Sequence, residues 1–248
     1  AILTPNHAKW NGYSDRIREH IKTMTFLQLT PLRPLALAVA TRFNKRQTEL
    51  AFRQFVFWSV RFLIAGGARS GVVEEAFAKA AQEVCARRID TADKLAKQLG
   101  AVLPTDPVFE AAFASTTVSK NALARYYLRA LELKAEGSNE PEWIPNESSA
   151  VTLEHVLPEN AQSGWPDFDQ TTAAAYYKRL GNMVLLSSAT NSVIGNRAFL
   201  EKKTTLASST FRLTKEVGEE ASWGTSEINQ RQKRLAASAV QTWLLRAQ

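Results

Sequence analysis

Leu153-Glu154-His155-Val156-Leu157-Pro158, then Leu180-Gly181-Asn182-Met183-Val184-Leu185-Leu186, then Asn191, decide the reading of this 248-residue chain. An acid and a histidine stand side by side before a proline. Two asparagines follow, nine residues apart. Ala150–Val156 and Asn182–Ser187 are aliphatic and β-branched enough to read as short strands. Between them lie a loop holding Trp165-Pro166 and a short helix at about 171–179. Asn191 opens a helix predicted to run to about Ser208, and a last helix covers about Ser226 to Arg246.

Adjacent residues of a strand leave opposite faces, so Glu154 and His155 can serve one site only if the strand bends. The end of the strand, just before Pro158, is where such a bend is expected. The carboxylate could then meet a metal ion held against the helix, with Asn191 as second ligand. Mg²⁺ or Mn²⁺ suits these oxygen donors, because Mg²⁺ keeps several waters and needs few protein ligands. The imidazole is a natural base near neutral pH. Asn182 can bridge the loop by hydrogen bonds and hold the imidazole in place.

Charge distribution agrees with that chemistry. The net charge is +7. Residues 1–150 carry 20 Lys and Arg against 15 Asp and Glu. Residues 151–177 carry four acids (Glu154, Glu159, Asp167, Asp169) and no base, whereas residues 178–248 carry 11 bases and five acids. An acidic patch in a basic surround suits a cation and a polyanion together. Lys178, Arg179, Arg197, Lys202 and Lys203 are the candidate phosphate contacts.

Residues 1–136 read as a helical domain that guides DNA or acts as a scaffold, with helices near 6–22, 31–43, 47–65, 71–88, 90–99 and 119–136. In the third, Leu50, Ala51, Gln54, Phe55, Trp58, Arg61 and Phe62 follow helical spacing, so it is expected to be buried on most sides. Asp90 and Ser119 suit N-caps, and Pro104 and Pro107 are expected to bracket a loop. Gly66–Gly71 reads as a turn between helices. Residues 137–150, polar and rich in breakers, read as a linker, and 151–248 as a second domain. Cys85 is the only cysteine, which rules out an internal disulfide and points to a reducing compartment; a buried, inert thiol is expected. His7 and His20 lack ligand partners and read as surface or capping residues. The apolar run Phe55–Ala65 is too short to span a bilayer.

These motifs, with Asn196-Arg197-Ala198-Phe199-Leu200-Glu201-Lys202-Lys203, resemble the C-terminal HNH domain of the GmrSD-type restriction endonucleases. That group includes phage-defence nucleases of the SspE kind. Ala124-Arg125-Tyr126-Tyr127-Leu128 and Leu131-Glu132 upstream, and Trp223, Ile228, Arg231, Leu235 and Trp243 downstream, extend the likeness. It implies a mainly α fold with a C-terminal ββα-metal (HNH) finger. It further implies His155 as general base, Glu154 and Asn191 as metal ligands, and Asn182 as the residue orienting the loop. A bacterial, cytoplasmic endonuclease that nicks or cuts DNA with Mg²⁺ or Mn²⁺ follows, serving anti-phage defence or modification-dependent restriction. The chain does not begin with Met, so a preceding sensor or nucleotide-hydrolysing domain is expected in a longer protein. Glu159 stands where the family usually has Gln, and the third position of the HNH signature is not histidine. The alternatives are a DNA-binding or regulatory module with a weakened site, favoured by Glu159, and a helical interaction scaffold.

Overall fold

Helices take up 64% of the described residues in the computed structural model, and one two-stranded sheet completes their regular structure. The expected mainly α architecture is therefore found. The structure describes residues 1–66, 70–144, 150–161, 165 and 168–247, without the side chains of Ser70, Ser192 and Val193. The centre of the Gly66–Gly71 turn, part of the expected linker, Pro166 and Asp167 lie outside them.

By packing, the chain forms two units: Ala1–Phe109 with Glu142–Ile144 and Trp243–Gln248, and Glu110–Pro141 with Pro145–Thr242. The first unit contains α1 (Asp15–Leu27), α2 (Arg33–Arg42), α3 (Lys45–Ala65), α4 (Ser70–Cys85) and α5 (Ala92–Leu99). α6 (Asp106–Phe113) runs from it into the second. The predicted helix at 6–22 is replaced by a 3-10 turn, Ala8–Trp10, and a helix that starts only after Ser14. The His7 ring caps that turn by accepting the Lys9 N–H. α3 begins where the Asn44 side chain accepts the Gln47 N–H, and Thr91, not Asp90, caps α5 in the same way. Pro104 and Pro107 were expected to bracket a loop, but α6 already begins at Asp106. Pro107 sits in its first turn, where a helix needs no proline N–H.

Eight consecutive residues of α3, Gln54 to Arg61, are buried, as the wide apolar stripe predicts. Arg61 is the charge in that run. Its guanidinium donates to the carbonyls of Trp243 (2.7 Å) and Pro104 (2.9 Å) and to the Asp106 carboxylate (2.5 Å), and lies over the Phe109 ring. A buried charge is tolerable only when its donors are matched in this way. Two expectations fail here. Cys85, the last residue of α4, is exposed rather than buried. His20 is buried on the inner face of α1, edge-on to Trp143, rather than at the surface.

The second unit contains α7 (Asn121–Ala135), β1 (Val151–His155), α8 (Gln170–Tyr177), β2 (Met183–Ser187), α9 (Ser188–Ile194), α10 (Phe199–Ala207), α11 (Arg212–Glu219) and α12 (Thr225–Thr242). α7 is preceded by Lys120, not Ser119, at its N-cap. It packs with the sheet: Arg125 donates to the Val151 carbonyl, and the Glu132 carboxylate accepts the N–H groups of Arg212 and Leu213, capping α11. β1 and β2 pair antiparallel, with Glu154 opposite Val184 and His155 opposite Met183. The single helix predicted from Asn191 to Ser208 is two. α9 starts earlier, with the Ser187 hydroxyl accepting the Thr190 N–H, and it stops at Gly195, whose φ of +51° is left-handed. α10 restarts after Ala198, whose N–H donates to the Glu201 carboxylate. No helix among the described residues is long and apolar enough to cross a membrane.

Burial holds the His20 imidazole at a pKa of about 3, with the nearby Arg53 and Arg16 adding to the effect. Unfolded, it titrates near 6.5. Between those values only the unfolded chain takes up the proton, so this group costs stability as pH falls from about 6.5 towards 3. His20→Phe keeps a ring against Trp143 and should flatten the pH dependence of the urea midpoint between pH 6.5 and 4.5. Parallel curves for the two proteins would rule this out.

Candidate active site

The turn before β2 explains why Leu180-Gly181-Asn182 has the composition it has. These residues form a 3-10 turn pressed against α12. A Cβ on Gly181 would lie 2.3 Å from the Ile228 carbonyl oxygen, so only glycine allows this approach. Arg231, buried on α12, donates to the carbonyls of Leu180 (3.2 Å), Gly181 (2.8 Å) and Met183 (2.8 Å). The Gln232 amide oxygen accepts the Gly181 N–H, and its nitrogen donates to the carbonyls of Phe113 and Thr116.

Asn182 is fully buried. Its Oδ1 accepts the Leu157 N–H (2.8 Å) and the Trp223 indole N–H (3.1 Å), and its Nδ2 donates to the carbonyls of Leu157 (2.9 Å) and Tyr177 (3.1 Å). The Asn182 carbonyl also accepts the Val156 N–H. One side chain thus ties the segment after β1 to the end of α8. The described hydrogen bonds of this side chain do not include one to the His155 imidazole. Instead the Tyr177 ring stacks on that imidazole, with centroids 4.1 Å apart and planes 26° apart.

Glu154 and His155, despite their adjacent strand positions, line one cleft of about 300 Å³ together with Pro158, Glu159, Asn160, Tyr177 and Asn196. β1 ends at His155 and the chain bends at Val156 and Leu157, where the bend was expected. Burial, then the ammonium groups of Lys202 and Lys178, lowers the His155 pKa to about 4. The imidazole is therefore neutral at pH 7 and able to accept a proton, although less basic than a free histidine. Burial pushes the Glu154 carboxyl up, and the Lys202 ammonium opposes the shift.

Lys202 overturns an expectation. It is 1% exposed, and its ammonium donates to Glu154 Oε1 (2.7 Å) and to the carbonyls of His155 (3.2 Å) and Val156 (3.1 Å). All three donors are used, so none is left for a DNA phosphate. The Arg179 guanidinium is likewise committed. It donates to Gln232 (2.9 Å), the Ala114 carbonyl (3.0 Å) and Asn229 (3.1 Å) and lies over the Tyr176 ring. Lys178 and Lys203 are half-buried, and Arg197 is exposed.

Each of the two expected ligands, the Glu154 carboxylate and the Asn191 amide, has an oxygen of the kind a hard cation takes. Asn191 Nδ2 reaches the Leu153 carbonyl at 3.5 Å, tying α9 to β1, and its buried Oδ1 accepts no hydrogen bond among the described residues. A buried amide oxygen without a donor is the kind of group a cation would satisfy. Asn191 is not among the residues that line the cleft. The described residues hold no group of three or more His, Cys, Asp or Glu side chains placed to bind a metal. Any cation here would rely on amide, water and substrate oxygens beside Glu154.

Three features have roles that the sequence does not assign, although Asn196 and Arg231 belong to the stretches that carry the family likeness. Tyr177 belongs to an eight-residue helix with no apolar periodicity to mark its face. Asn196 follows the left-handed Gly195, and the Arg231–Gln232 clamp is one turn of a long amphipathic helix.

Asn182→Ala leaves two buried N–H groups and two carbonyls without their partner. It should lower unfolding stability by about 3 kcal/mol or more. Gly181→Ala should cost about 2 kcal/mol, because the α12 backbone must move. Denaturant titration checks both, and a loss below about 0.5 kcal/mol in either would contradict the packing described.

No curated protein matches the chain. A family model does: the C-terminal domain of the GmrSD restriction endonucleases matches residues 103–238, more than half of the sequence. That span contains the cleft, both strands, the Asn182 clamp and most of α12. The chain belongs to this family of restriction endonuclease C-terminal domains.

Proposed function

We propose that the second unit is a divalent-cation-dependent DNA endonuclease of the HNH kind, the effector part of an anti-phage or modification-dependent restriction system. The observation that carries this reading is the strand end at which Glu154 and His155 open into one cleft, with the imidazole neutral at pH 7. β1, β2 and α9 follow the ββα order of the metal finger, and family membership supplies the restriction-endonuclease context. A sensor or nucleotide-hydrolysing domain in a longer bacterial protein would choose the target.

In this mechanism an imidazole nitrogen of His155 takes the proton from the attacking water. The Tyr177 ring and the Asn182 clamp hold the imidazole against rotation, which keeps the base and the phosphorus in line. Glu154 and Asn191 would hold the cation. Bound Mg²⁺ or Mn²⁺ would supply electrophilic stabilisation of the phosphate and of the leaving oxygen. Lys178, Arg197 and Lys203 remain as candidate phosphate contacts around the cleft.

A second reading, a DNA-binding module with a weakened site, draws on two observations. Glu154 is already paired with Lys202, and the acid Glu159 stands at the mouth of the cleft. Incubating supercoiled plasmid with Mg²⁺ or Mn²⁺ separates the two. Nicking or cutting that falls about 10²- to 10⁴-fold in His155→Ala, with DNA binding kept, supports the nuclease. A fall of less than tenfold removes His155 from the role of base, and binding without cleavage in either metal supports the module. Lys203→Ala and Arg197→Ala should each reduce the salt dependence of DNA binding by about one counterion. An unchanged slope would remove that residue from the phosphate contacts.

A further inference from the structure

Resting on the nuclease reading, we propose that Lys202 is a positioning residue. It holds Glu154 and the end of β1 in place and, by neutralising Glu154, makes cation occupancy of the cleft depend on a bound phosphodiester. The three acceptors of its ammonium come from three consecutive residues, Glu154, His155 and Val156, at the bend that brings Glu154 and His155 into one cleft. A single buried cation therefore fixes that bend from a helix some 47 residues further along the chain. α10 can bring it there because Gly195 ends α9 early, and because Phe199, at the start of α10, stacks on Trp223.

The electrostatic consequence follows from the charges at the cleft. Glu154 and Glu159 are acids. Lys202 pairs with the first, and the Lys178 ammonium is close enough to act on His155. Their formal charges cancel. A divalent cation approaching Glu154 meets a carboxylate whose charge is already compensated, and the buried ammonium repels it. A DNA phosphodiester adds one negative charge and two further oxygen ligands. Cation and DNA should then each strengthen binding of the other, a coupling that is reciprocal by necessity.

Mn²⁺ binding, followed by electron paramagnetic resonance with and without duplex DNA, tests this. His155→Ala serves as the background so that DNA is not cut. DNA should tighten Mn²⁺ binding about tenfold or more. Adding Lys202→Met should tighten Mn²⁺ about tenfold in the absence of DNA and shrink the effect of DNA, while Lys202→Arg keeps the coupling. With His155 intact, Lys202→Met should still cleave more slowly, because Glu154 is no longer held. A lysine that only supports the fold gives the opposite sign: Mn²⁺ would be loosened in Lys202→Met, and that result overturns the proposal. If Lys202→Met does not fold by circular dichroism, the comparison in the background protein decides, and equal Mn²⁺ affinity with and without DNA overturns it. Mn²⁺ bound in neither condition, or bound equally well after Glu154→Ala, overturns the metal-nuclease reading itself and this inference with it.

Discussion

The amide of Asn182 makes four hydrogen bonds in the interior of the second unit, and the geometry of the cleft follows from them. It satisfies both the N–H and the carbonyl of Leu157, so the chain leaving β1 can turn away from the sheet without a buried polar group going unpaired. It also takes the carbonyl at the end of α8, which places Tyr177 against His155. The clamp is itself held from α12. Arg231 and Gln232 bind the backbone on both sides of Gly181, and the absence of a side chain at that glycine lets the helix come close enough to do so. The cleft is thus supported by side chains of other elements that bind its backbone, beside the Tyr177–His155 stack and the Lys202–Glu154 pair.

Charge follows the same economy. The second unit buries a glutamate, a lysine and an arginine around the sheet, and each is matched by partners from another element. Glu132 caps α11, Arg231 binds carbonyls of the turn, and Lys202 binds the end of β1. Removing a partner from any of these would strand a charge in a poorly solvated place, the costly case for buried ions. The lowered His155 pKa belongs to this arrangement, because burial and two nearby ammonium groups all disfavour the imidazolium.

Both strands, the buried α3 and the short helix before the Leu-Gly-Asn turn could be read from local pattern, because aliphatic content and helical spacing act over a few residues. The bend that joins Glu154 to His155 was also legible, from Pro158. Other features were not. A proline reads as a breaker unless one knows that it stands in a first helical turn, so the start of α6 was read as loop. Gly195 reads as a tolerated helix residue unless its φ is known, so α9 and α10 were merged. Lys202, read as a phosphate contact, is instead buried against Glu154 and the end of β1. His20 and Cys85 were exchanged in burial for a related reason: neither type of residue declares by itself which face of its helix is covered.

By itself the sequence determined which groups could do chemistry and in what order they come: an acid and a histidine at a strand end, an asparagine before the second strand, and another in the helix after it. It also carried enough of the family pattern over 103–238 to place the chain. Only the tertiary structure decided what state those groups are in. Whether a lysine meets DNA or a buried carboxylate, whether a histidine is charged, and whether an asparagine binds a ligand or a loop depend on atoms supplied by other elements of the chain. Burial and pairing are properties of that meeting and not of the residue.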